Sequence, residues 1–185
     1  MEMSLSVKTD FGFLLSADFE RAVDALPLVS VDWVLLNPAG QILLGQRLNA
    51  PARHWWFTPG GRVRKNEPLS RCLQRVALAE LGLQANDVHG AKLMGVWDHF
   101  YEDSAFNTEV STHYVNLPHV LRLPYTLDLN ALPSDQHSAW RWQDVQTVAV
   151  AHDVHPYVRI YAHWLVAQGK FTAPNHLESP ASQAY

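Results

Sequence analysis

The stretch Gly60-Gly61-Arg62-Val63-Arg64-Lys65-Asn66-Glu67, followed by Arg75 and then by Glu80-Leu81-Gly82-Leu83, gathers residue types that handle phosphate and divalent cations. A glycine pair lets the backbone approach a bound group closely. Arginine offers a fixed fork of donors that suits phosphate. Glu80 offers the oxygen that a hard cation such as Mg²⁺ takes. Positions 76, 79 and 80 fall at i, i+3 and i+4, so on a helix they share one face. That face carries Val76, Ala79 and Glu80. One carboxylate can help to hold one metal, but none is spare to activate a water.

The elements that must position these residues follow from the pattern around them. Pro68 to Leu81 reads as the best helix: Pro68 suits a first turn, Gly82 a stop, and Leu69, Cys72, Leu73 and Val76 recur on one apolar face. Upstream, residues 18–26 form a short helix stopped by Pro27. Leu28 to Leu36 and Ile42 to Leu44 flank Pro38-Ala39-Gly40 and read as a hairpin. Downstream, Leu93 to Tyr101 and Ser111 to Leu121 are strand-like, Leu132 to His137 is a loop, and His155 to Gln168 is a second helix. Strands flanking helices in this order predict a single mixed α/β sandwich. We divide the chain into an N-terminal extension (residues 1–15), one domain (16–169) and a flexible tail (170–185).

Composition narrows the class of function. In 185 residues there are 14 Lys and Arg against 18 Asp and Glu, a net charge of -4 that argues against nucleic acid as partner. Low charge with seven Trp and ten His suits a pocket for a small polar ligand. The single Cys72 excludes an intramolecular disulfide and any multi-cysteine zinc site, and reads as a buried apolar residue. No apolar run reaches the ~18 residues of a membrane span. The expectation is a cytoplasmic, soluble protein with no membrane partner.

From Gly61 onward the spacing matches the Nudix box, G-x5-E-x7-R-E-U-x-E-E-x-G-U, without a gap over 23 positions. Gly61, Glu67, Arg75, Glu80, Gly82 and Leu83 hold the matching places, while Val76 and Ala79 replace two carboxylates. That incomplete box, with Pro27 to Asp32, Gly45-Gln46-Arg47, Trp56 to Val63, Gly95 to Tyr101, Thr112 to Val115 and Asp135-Gln136-His137, resembles the GDP-mannose mannosyl hydrolase branch of the Nudix family. The resemblance runs from about Ala17 to Tyr161.

It implies a Nudix-type α/β/α sandwich with a mixed sheet. The activity implied is Mg²⁺-dependent release of GDP from GDP-mannose, with GDP-glucose a second candidate. Water attacks the anomeric carbon with inversion, and Mn²⁺ can replace Mg²⁺. By similarity His137 is the general base, and Gly60, Glu80 and Gln136 are metal ligands. Arg47, Arg62 and Tyr114 stabilise the departing diphosphate, and Asp32 lies near the sugar ring. His99 lines the sugar side, Asp18 and Phe19 meet the guanine, and a homodimer is expected. Rival readings are a conventional Nudix diphosphatase cutting between phosphates and a non-catalytic nucleotide-sugar-binding module. Taken alone, His137 reads as a solvated loop histidine, Arg75 as an ion-pair partner of Glu67, and His113 and His119 as structural. Trp140 and Trp142 read as packing residues.

Overall fold

The computed structural model describes residues 15–106 and 108–169. The expected tail lies outside this range, as does all of the expected N-terminal extension except Leu15. In chain order the elements are α1 (Ser16–Ala25), β1 (Leu28–Leu36), β2 (Gln41–Arg47), β3 (Trp56–Phe57), β4 (Gly60–Arg62) and α2 (Leu69–Leu81). There follow β5 (Lys92–Leu93), β6 (Trp97–Tyr101), β7 (Thr112–Arg122), β8 (His137–Asp144), α3 (Val145–Val150) and α4 (Pro156–Ala167).

From Ser30 to Leu36, every residue of β1 is buried, which explains its nearly unbroken apolar run: a strand covered on both faces cannot alternate. Val31, Trp33 and Leu35 face Cys72, Val76, Ala77 and Leu81 of α2. Val34 and Leu36 face the other way, onto Val148, Val158, Ala162 and Leu165 of α3 and α4. The result is the expected α/β/α sandwich. Its sheet is mixed: β1 runs parallel to β7 over nine paired residues and antiparallel to β4 and β2.

Several expectations are refined. β1 and β2 pair only at Leu36 and Ile42, beside the turn, because β4 takes the edge of β1 further along. Leu93 to Tyr101 divides into β5 and β6 at Gly95, over which the Trp97 ring folds. Leu69 is 37% exposed, so the buried face of α2 is Cys72, Val76, Ala77, Glu80 and Leu81. His137 opens strand β8 instead of closing a loop, and it pairs with Arg47 on β2. Trp140 and Trp142 of that strand pack on the α2-side core and donate their indole N–H groups to Pro133 and Leu127 carbonyls. Among the described residues no helix is long and apolar enough to cross a membrane.

The loop before α2 is locked by Arg75. Its Nε donates to Glu67 Oε1 at 2.6 Å and its Nη2 to Glu67 Oε2 at 2.8 Å and to the Arg62 carbonyl at 2.9 Å. Burial pushes the Glu67 carboxyl up, but the Arg75 hydrogen bonds and the Arg64 backbone N–H hold it below the ordinary carboxylate range. The loop thus rests on a bidentate, charge-assisted pair. Arg75→Met leaves the Glu67 charge buried without its partner, and urea unfolding should show a loss of about 3 kcal/mol.

Candidate active site

A cavity of about 380 Å³ opens where β1, β4, α2, β6 and β7 converge. Its α2 wall presents Val76, Ala79 and Glu80, the three positions that share a helix face. Arg47, Arg62 and Arg64 also line it, as does Arg75, whose charge is paired with Glu67, and this excess of cations suits a polyanion. Burial, and then the neighbouring charges of Arg64 and Arg75, lower Arg62 from the usual arginine value. Tyr114 lies between the influence of Arg47 and Arg62, which offset in part the upward push of its burial.

Two carboxylates stand in this cationic setting. Asp32 on β1 is 5% exposed, and burial raises its pKa to about 6 against the hydrogen bonds of Tyr161 and Asn116 and the charge of Arg47. Glu80 on α2 is 7% exposed, and burial raises it to about 7 against the opposing charge of Arg47. Gly60 is needed between them. A Cβ there would collide with Asp32 Oδ1 and come within 2.7 Å of the Val31 carbonyl.

Glu80 Oε1 accepts from Gln136 Nε2 at 2.7 Å, and the Gly60 backbone N–H supports the same carboxylate. Among the described residues no three His, Cys, Asp or Glu side chains cluster as a metal site. The set Glu80, Gln136 and Gly60 offers instead one anionic oxygen with amide and backbone oxygens. A carboxylate that burial still holds at about 7 against the charge of Arg47, beside amide and backbone oxygens, fits a hard divalent ion, which Glu80, Gln136 and Gly60 would hold.

His137 is not where its sequence context suggests. It is 2% exposed, its ring lies across Gly45 with Trp140 at 4.4 Å, and it does not line the cavity. Its Nδ1 is 3.9 Å from Glu80 Oε2, and its Nε2 has no hydrogen-bond partner. Burial, then the charge of Arg47, lowers its pKa to about 4, so the ring is neutral at pH 7. His99 lines the cavity and is lowered to about 3, chiefly by burial. Its neighbour Asp98 points away and pairs with His113 at 3.1 Å. His119 is 6% exposed and lies 2.8 Å from the Leu117 carbonyl through Nδ1, the structural role expected of it.

Asp18 and Phe19 stand on α1, outside the cavity lining. Asp18 is exposed beside Arg21 at 3.8 Å, and Phe19 packs edge-on against Phe106 with the Arg62 guanidinium 3.9 Å from its ring centre. Phe19 therefore reaches the site through Arg62. Sequence reasoning assigned no role to Ser30, Tyr101 or Asn116, which line the cavity, or to Tyr161 beneath it. A polar residue such as Asn116, set between Val115 and Leu117 in a buried strand, is the signal that marks them.

With this geometry the comparisons with known proteins are direct. The NUDIX domain family matches residues 26–165. The low-salt glycan biosynthesis protein Agl8 of Haloferax volcanii is 40% identical over 145 residues, covering 78% of this chain and 85% of the relative. Among solved structures, a MutT NUDIX hydrolase from Burkholderia pseudomallei superposes with a TM-score of 0.57 at 26% identity, over 76% of this chain and 98% of that one. The NUDIX domain of Shewanella oneidensis NrtR, solved with ADP ribose, gives 0.59 at 16% identity over 84% and 99% of the two chains, a likeness of fold. The chain belongs to the Nudix family, and its class is that of a hydrolase.

Asp32 provides a test of site against scaffold. A carboxyl raised from 3.8 to about 6 costs the folded state about 3 kcal/mol once the pH exceeds 6. The folded protein holds that proton more tightly, so the contribution of Asp32 to stability falls as pH rises from 4 to 6 and is flat above, while Glu80 adds a fall of its own toward pH 7. Asp32→Asn removes the Asp32 part of this dependence. By urea unfolding the variant should exceed the parent in stability at pH 7, with the gap closing toward pH 4, while its hydrolase activity falls.

Proposed function

We propose that this Nudix hydrolase cleaves a GDP-sugar at the anomeric carbon, releasing GDP and the free sugar with inversion. GDP-mannose is the first candidate and GDP-glucose the second. The observation that carries the reading is the composition of the cavity. Four arginines line it, yet the α2 face presents Val76 and Ala79 beside Glu80. Such a wall can bind a diphosphate and one cation, but it lacks the carboxylates that would activate water against phosphorus. Chemistry at the sugar end needs less from α2. A diphosphate already neutralised leaves without an acid, and an inverting displacement needs a base on the opposite side of the sugar. A 40% identical relative named for glycan biosynthesis is in keeping with a sugar nucleotide.

Arg47, Arg62 and Tyr114 take the charge that develops on the leaving diphosphate. Gly60, Glu80 and Gln136 would hold Mg²⁺, or Mn²⁺ in its place, and the bound ion supplies charge neutralisation at the same diphosphate. Asp32 and His99 face the sugar. An ionised Asp32 favours positive charge at the anomeric carbon, while Asp18 and Phe19 meet the guanine. His137, neutral with an unpartnered Nε2, takes the proton of the attacking water after its ring turns outward from Gly45.

One observation favours a second assignment of the base. Asp32 already lines the cavity, is ionised at pH 7, and could take the proton without any movement. His137→Gln separates the two. The first assignment expects a fall of about 10²- to 10⁴-fold in kcat at neutral pH with binding much less changed, and the second expects near-parental turnover.

The bond that breaks is read by hydrolysis in ¹⁸O-water. Label recovered in the sugar supports cleavage of the carbon–oxygen bond. Label in a phosphate overturns it in favour of a conventional diphosphatase, and a Mg²⁺-dependent complex without product would indicate a binding module.

A further inference from the structure

Tyr161 lies on the face of α4 that packs against the sheet, and its ring is fully buried with Val158, Ala162 and Leu165. A phenylalanine would satisfy that packing equally well, and a buried hydroxyl without partners is costly. The hydroxyl here is surrounded by partners. Oη is 2.7 Å from Asp32 Oδ2, 2.9 Å from Asn116 Oδ1 and 3.0 Å from His99 Nε2. These three residues line the cavity, whereas Tyr161 does not.

The proton count constrains the network. A tyrosine hydroxyl donates one hydrogen bond and accepts others. Asp32 Oδ2 and Asn116 Oδ1 are both acceptors for that one proton, and the carboxylate, charged and at the shorter distance, has the stronger claim on it. His99 then meets Oη as a donor, in its Nε2–H tautomer, which leaves Nδ1 as an acceptor facing the Tyr101 hydroxyl at 3.5 Å. The His99 ring is fixed from the side by a parallel stack on Tyr157, 3.8 Å between ring centres. The other oxygen of Asp32, Oδ1, abuts Gly60. Asn116 is anchored in turn through Nδ2 to Ser30 Oγ at 2.9 Å.

We infer that Tyr161 is a positioning residue for hydrolysis: its hydroxyl holds Asp32 Oδ2 and His99 Nε2 on one atom, so that both groups facing the sugar keep a single geometry. The inference rests on the roles given above to Asp32 and His99. Tyr161 touches no substrate, and it acts through the orientation of those two side chains. Holding a group that works on the transition state should appear in kcat more than in KM.

The test is a double-mutant cycle on the full-length protein, assayed with GDP-mannose and Mg²⁺ well below the melting temperature of each variant. Tyr161→Phe should lower kcat by about 10- to 100-fold, the cost typical of losing an outer-shell partner, with KM little changed. In the Asp32→Asn background the same substitution should cost clearly less, because the carboxylate it positions is gone and only the hold on His99 remains to be lost. The near-UV circular dichroism and urea unfolding of Tyr161→Phe should show a single cooperatively folded protein with parental tertiary packing. This assigns any loss in the phenylalanine variant to the hydroxyl and not to misfolding. If Tyr161→Phe is silent, lowers kcat by the same factor in both backgrounds, or acts on KM alone, the positioning role is overturned while the role of Asp32 stands. If Asp32→Asn itself retains full activity, the proposed function of Asp32 fails, and the inference fails with it. Loss of the near-UV spectrum or of cooperative unfolding in Tyr161→Phe would make Tyr161 a packing residue.

Discussion

Two carboxylates share one buried neighbourhood with a single dominant cation, and most of the site can be understood from that electrostatic constraint. Burial raises Asp32 to about 6 and Glu80 to about 7, and the charge of Asp32 adds to the push on Glu80. Arg47 opposes both shifts, and it also helps to keep His137 and His155 neutral. Relieving that stress in the free protein would require either protonation or bound positive charge. A fold that keeps two acids so dry is therefore prepared for a ligand that brings cationic charge near them. The surrounding arginines require that the same ligand also bring anionic charge. A metal–diphosphate assembly attached to a sugar satisfies both demands at once.

The constraint reaches back into the fold through β1. A strand buried on both faces is normally apolar throughout. β1 obeys that rule from Trp33 to Leu36 and breaks it at Ser30 and Asp32, where the α4 side of the sheet replaces hydrocarbon with Asn116, His99 and the Tyr161 hydroxyl. The parallel partner β7 supplies Asn116 at the position paired with Ser30, so one register fixes both the core and its polar inset. On the opposite face Val76 sits against Gly61, within 3.1 Å of where a side chain would begin. The position that could carry another acid is used to close the core beneath the loop.

How much of this was legible beforehand depended on whether the information was local. α2 was readable because Pro68, Gly82 and the spacing of Cys72 and Val76 lie within one element. So were α4, capped by His155, and the Arg75–Glu67 pair, whose members flank one turn of chain and helix. The sharing of 76, 79 and 80 by one cavity-facing surface followed from helix geometry alone. β8 was not readable. His137 to Asp144 alternates poorly, and its strand state comes from pairing with β2 across the sheet. Its first residue consequently changed from a solvated loop histidine to a buried one. Tyr161 was hidden for a related reason: helical periodicity assigns it to the core, and only tertiary contact brings its hydroxyl to Asp32.

The burial of His137 and the unassigned Tyr161 hydroxyl bear on how the chemistry is distributed. In the arrangement implied by the box alone, a helix carrying several acids would hold the metals and activate the water, so one element would do the work. On the proposed function the work is divided among five elements: α2 gives Glu80, β1 gives Asp32, β6 gives His99, α4 gives Tyr161, and the entry to β8 gives Gln136 and His137. Only Glu80 belongs to the box. The price of that dispersal is a network in which side chains from distant parts of the chain must be aligned at the same time. Proteins meet such a requirement by locking each group with packing and hydrogen bonds before the substrate arrives. The Asp32–Tyr161–His99 junction already has that character. The His137 ring, with an unpartnered Nε2 and no place on the cavity wall, does not. The half of the cavity around Asp32 and His99 is therefore preorganised, and on the proposed function the remaining conformational adjustment falls on the segment that carries Gln136 and His137. On the proposed function, a cation and diphosphate held at Glu80 and Gln136 would act on that same segment, a physical route by which the leaving group's arrival would bring the proposed base into line.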